Sequence, residues 1–119
     1  MKQITVKVKT ARQDSELGII WGYASVADVL DDQGDIVPQE ELIRAVYEFM
    51  ENYYSGETAI RVNHDKAAKA VLVESTFHLL GTNVAWFVGV KLLDEDLREA
   101  ARKGEISGFS IGGQAEEEE

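Results

Sequence analysis

Val84 to Leu93 reads Val-Ala-Trp-Phe-Val-Gly-Val-Lys-Leu-Leu, a near-continuous apolar run broken only by Lys91. It is about half of the roughly 20 apolar residues a helix needs to cross a bilayer. Its β-branched and aromatic content marks it as a strand rather than a helix, and its lack of alternation fits burial on both faces. The chain must therefore surround this segment with strands on either side and cover above and below.

The rest of the sequence supplies such partners. Ile4, Val6 and Val8 alternate with Thr5, Lys7 and Lys9, the two-residue period of a half-buried strand. Leu17 to Val26 forms a second strand, in which Gly22 marks a bulge or a close packing contact; polar Ala11 to Glu16 connects the two. Ala59 to Asn63 is a short strand. Ala70 to Leu80 is a longer one, with Val71, Val73, Ser75, Phe77 and Leu79 on one face and Leu72, Glu74, Thr76 and His78 on the other. Ile106 to Ile111 is the last strand.

Two helices interrupt the strands. Pro38 suits a first helical turn, and Glu40 and Glu41 place negative charge near the helix N-terminus. Leu42, Ile43, Val46, Phe49, Met50 and Tyr53 then form one apolar stripe, which Gly56 ends. Asp94 caps a shorter helix carrying Leu97, Ala100 and Ala101, with Lys103 in its last turn and Gly104 closing it. The order β-β-α-β-β-β-α-β predicts a mixed, mainly antiparallel sheet or barrel with two helices outside.

With 119 residues the chain forms a single domain over residues 1–113, followed by an acidic, mobile tail over 114–119. The formal charge of −10 argues against nucleic acid and anionic membranes as partners. The N-terminus lacks the apolar core of a signal peptide, so a cytoplasmic location is expected. The absence of cysteine excludes disulfides, thiolate metal sites and a cysteine nucleophile.

Near the C-terminus stands Gly108-Phe109-Ser110-Ile111-Gly112-Gly113, a serine between glycines. Bare backbone lets a substrate come close, and nearby amides can hold an oxyanion. A serine nucleophile needs a base, and the two histidines are His64, in a polar stretch with Asn63 and Asp65, and His78. No histidine pair has zinc-ligand spacing, and Asp28, Asp31, Asp32 and Asp35 miss the EF-hand template, so neither a metal nor a cofactor is expected. Ser110 and the histidines can equally be structural residues.

Gly22-Tyr23-Ala24-Ser25-Val26, Asp32-Gln33-Gly34-Asp35 and Tyr47-Glu48-Phe49-Met50 come first. They are followed in order by His64, Val73-Glu74-Ser75, Trp86-Phe87-Val88-Gly89-Val90, Gly104-Glu105 and the Ser110 string. Together they resemble the XkdF-like phage serine proteases over roughly residues 17 to 113. That family is grouped with prohead (capsid maturation) proteases, whose fold is similar to herpesvirus assemblin. The resemblance implies an α+β domain of assemblin-like type, a curved, mostly antiparallel sheet or small barrel flanked by two helices.

It further implies a serine endopeptidase that cleaves phage scaffold and capsid proteins inside assembling proheads, in the cytoplasm of a host or prophage-bearing bacterium. Ser110 matches the nucleophile, His64 the general base and Glu74 the group that orients it. His78 competes with Glu74, because assemblin-type enzymes orient their base with a second histidine; theirs follows the serine, and none follows Ser110 here. The amides of Ile111, Gly112 and Gly113 would hold the oxyanion. Relatives of assemblin type dimerise, so a homo-oligomer is expected. The alternative is a catalytically silent capsid-assembly or protein-interaction module on the same fold.

Overall fold

The computed structural model describes residues 5–31, 34–55, 58–62, 66–67 and 69–113. Its elements run β1 (Thr5–Asp14), β2 (Ile19–Val26), α1 (Gln39–Tyr54), β3 (Thr58–Val62), β4 (Lys66–Ala67), β5 (Ala70–Leu80), β6 (Asn83–Leu92), α2 (Glu95–Arg102) and β7 (Gly108–Gly113). All strands join one sheet in the order β4-β3-β7-β1-β2-β6-β5, and every neighbouring pair is antiparallel. The fold is thus α+β, with a strand, β4, that the sequence pattern did not reveal. Two residues are too few to show a period.

The sheet must curl. β4 and β5 lie at opposite ends of the strand order, yet Ala67 and Ala70 are three residues apart in the chain. Three residues span at most about 10 Å, whereas six flat strand spacings would need about 29 Å. The curl closes around α1, which packs against both β6 and β3, while its Tyr53 hydroxyl accepts a hydrogen bond from the Leu72 amide of β5 at 2.7 Å. On that concave face Val8, Ile20, Val88, Val90, Phe109 and Ile111 meet Leu42 and Val46 of the helix. β6 is buried on both faces from Ala85 to Val90, as its unbroken apolar run requires.

Local departures from the sequence pattern have identifiable causes. β1 continues to Asp14, through the residues expected to connect the first two strands. A register shift between Thr10 and Arg12 puts Arg12 opposite Trp21, and its guanidinium lies 4.1 Å from the indole centroid. β5 shifts register between Leu72 and Glu74, so Leu72 pairs with core residue Val90 and leaves the face Glu74 shares with Gly89. Simple alternation therefore misplaces Leu72. Gly22 is a close packing contact: a Cβ there would stand 2.3 Å from the Lys9 carbonyl oxygen.

Pro38 is the residue before α1 and makes no side-chain cap, and the helix ends at Tyr54 with Ser55 as its cap. Gly56 lies outside the described residues. α2 follows expectation closely. Asp94 accepts from the Asp96 amide at 2.8 Å, and Gly104 at φ +77° closes the far end, with its own amide bonded to Ala101 and that of Glu105 to Ala100. Arg102 donates hydrogen bonds to the carboxylates of Glu95 and Glu99, which hold its pKa above the ordinary value.

Candidate active site

Ser110 sits in the middle of β7, an interior strand between β1 and β3, and its Cα partners are Lys7 and Arg61. Phe109 and Ile111 point into the concave core, so alternation puts Ser110 on the opposite face together with Gly108 and Gly112. The hydroxyl is thereby flanked along its own strand by positions with no side chain. Gly108 is sterically required as well, since a Cβ there would meet the Val8 carbonyl oxygen at 2.5 Å. Exposed Lys7 is the cross-strand neighbour, and directly paired side chains stand about 5 Å apart at Cβ. Even so, Ser110 is 1% exposed.

Ile111 and Gly112 also have strand partners on both sides, Val6 with Ile60 and Thr5 with Ala59. In an interior strand each amide serves one neighbour or the other. Gly113 pairs with Thr58 alone among the described residues.

His64 lies outside the described residues. In the sequence it follows Arg61, the partner of Ser110, by three positions, and it falls between Val62 and Lys66, which pair with each other.

Glu74 and His78 stand on β5, four strands from β7. Glu74 accepts a hydrogen bond from Trp21 Nε1 at 2.8 Å, passing over Gly89. Arg12, Trp21, Gly89 and Glu74 thus form one row across β1, β2, β6 and β5. That row crosses β1 five residues from Lys7, so Glu74 is four strands away from Ser110 around the curled sheet and displaced by about 15 Å along the strands. A single imidazole with a hydrogen bond at each end spans about 8 Å. The register sets Glu74 too far from Ser110 for the orienting part expected of it. His78 is equally distant across the strands. Its ring stacks on Phe87 at 4.3 Å, and its Nδ1 lies 3.4 Å from the Tyr23 hydroxyl.

Lys7 and Arg61 as the flanks of Ser110, and Trp21 as the partner of Glu74, were not legible in the sequence. Each is a register contact between distant segments. The only local signal was the presence of cations in strand-like stretches.

Fold and site together define an α+β domain that carries a serine on a glycine-rich interior strand, beside the strand that leads to a histidine. Residues 5–119 match the family described as "Putative phage serine protease XkdF", and the chain belongs to that family. No curated protein and no solved structure matches it.

Proposed function

We propose that this protein is a serine endopeptidase of the prohead-maturation type, with Ser110 as nucleophile and His64 as general base. The observation that carries the proposal is the pairing of β3 with β7. Arg61 stands opposite Ser110, and His64, 46 positions before the serine in the chain, follows Arg61 by three residues. His64 takes the Oγ proton as Ser110 attacks the scissile carbonyl, then returns it to the leaving amine; water hydrolyses the acyl-enzyme with the same base. The cation of Lys7 favours negative charge at its neighbour. The amides of Ile111, Gly112 and Gly113 are the proposed oxyanion donors. Glu74 is bonded to Trp21 and is given no part in this step.

Scaffold and capsid proteins of a phage are the proposed substrates, met inside the assembling prohead in the host cytoplasm. The family assignment supports a phage serine hydrolase at the coarser level. The near-complete burial of Ser110 favours a second reading, a catalytically silent assembly or interaction module.

Incubation with a fluorophosphonate probe and with a scaffold-derived peptide separates the two. Covalent labelling and cleavage that both vanish in Ser110→Ala, with an unchanged circular dichroism spectrum, support the protease. Turnover that survives in Ser110→Ala removes Ser110 from the mechanism, and a wild-type chain that neither labels nor cleaves supports the silent module.

A further inference from the structure

Eleven large apolar side chains are exposed among the described residues, and five of them gather at one end of the sheet: Val29, Leu30, Ile36, Leu79 and Leu80. Backbone ties hold them together. Leu79 and Leu80 pair with Val84 and Asn83 across the β5–β6 turn. The Ala27 amide bonds to the Val84 carbonyl at 2.8 Å, and Asn83 Nδ2 bonds to the Ala27 carbonyl at 3.2 Å. From Ala27 the loop folds back on itself through Asp28 N to Val37 O and Asp31 N to Asp35 O, each 2.8 Å. The apolar groups are thus displayed on a hydrogen-bonded loop and a strand end, an arrangement that loses little freedom on binding.

The rim of this patch is acidic. Asp28, Asp31, Asp35, Glu40 and Glu41 are all exposed around it. Neither residues 26–43 nor residues 76–86, which build this end of the molecule, contain a lysine or arginine. Large apolar side chains gathered at one end of a sheet and bounded by charge mark an interaction site. The sign of the charge selects the partner. A second copy would bring two acidic rims together in a chain of net charge −10, and an anionic bilayer or a nucleic acid would be repelled in the same way.

We propose that this end of the sheet docks a basic segment of another protein, one whose lysines and arginines flank apolar anchors. The apolar anchors would cover Leu30 and Leu79, and the cations would meet the aspartates and glutamates of the rim. The surface does not include Ser110 and works the same way whether or not that serine is catalytic.

The test uses the full chain and three fluorescein-labelled decapeptides, alternating Leu–Lys, Leu–Glu and Ser–Lys, with binding read by fluorescence anisotropy. The Leu–Lys peptide should bind about tenfold or more tightly than either of the others, and more weakly as salt is raised. The double variant Leu30→Ser/Leu79→Ser should weaken it by about tenfold or more without changing the circular dichroism spectrum. These residues are 64% and 69% exposed, so the fold does not depend on them.

The matched control is Leu17→Ser/Leu93→Ser, at the opposite end of the sheet and 52% and 53% exposed. That variant, like Ser110→Ala, should bind as wild type does. Equal binding of the Leu–Lys and Ser–Lys peptides, or equal loss in both double variants, overturns the proposal in favour of diffuse charge attraction. Preferential Leu–Glu binding also overturns it, as does sedimentation with phosphatidylcholine vesicles, or a dimer that Leu30→Ser/Leu79→Ser dissolves.

Discussion

Two glycines on neighbouring interior strands show how differently the same atom can be excluded. A Cβ at Gly22 would meet the Lys9 carbonyl oxygen at 2.3 Å, which is backbone of the paired strand and cannot yield without opening the sheet. A Cβ at Gly89 would instead meet the Trp21 indole at 2.7 Å, a side chain able to tilt. Gly22→Ala should therefore cost about 3 kcal/mol and Gly89→Ala about 1 kcal/mol. Urea denaturation measures both, and equal losses would contradict the distinction. The same indole gives Glu74 its test. Glu74→Gln keeps an oxygen for Trp21 Nε1, so stability should change by less than about 0.5 kcal/mol, and cleavage of the scaffold-derived peptide should persist. Glu74→Leu should cost about 1 kcal/mol, because it takes the acceptor away from a part-buried N–H. A Glu74→Gln variant that melts normally but no longer cleaves would return the carboxylate to the mechanism.

At the scale of single elements, what the sequence expressed locally was readable and what it expressed through pairing was not. The α2 cap is local: Asp94 accepts from an amide two residues away, and Gly104 takes the left-handed conformation that ends the helix. Asp94→Ala should accordingly lower stability by about 1 kcal/mol, read as a fall in melting temperature, while Asp94→Ser should retain most of it. The apolar run of β6 is likewise its own signal, because burial on both faces removes the need for alternation. β1 and β5 carry the opposite lesson. Arg12 looks like loop and Leu72 looks like a neighbour of Glu74 until register shifts move each of them, and those shifts are fixed by the partner strand. The Ser110 string was visible as a glycine-flanked hydroxyl. Its place beside Arg61, and the gulf between it and Glu74, depend on a strand order that no short window contains.

Across the whole molecule the sheet and α1 define each other. The three-residue step from Ala67 to Ala70 brings the two ends of the strand order together, and α1 fills the trough this creates, reaching β3, β5 and β6. Leu42 and Val46 are the buried anchors of the helix, and Phe49 meets the core indole of Trp86 edge-on at 5.1 Å. Removing the Leu42 side chain should leave a cavity against a curved wall that cannot collapse around it, costing about 2–4 kcal/mol. Because the helix touches strands from both halves of the sheet, this loss should fall on one cooperative transition. Tryptophan fluorescence in a Trp21→Phe background reports Trp86, on the concave face, while far-ultraviolet circular dichroism reports the strands and helices together. In Leu42→Ala both signals should shift to the same lower urea midpoint. A fluorescence transition that precedes the dichroism transition would mean that α1 leaves the trough while the sheet persists, and the mutual dependence of helix and curl would be wrong.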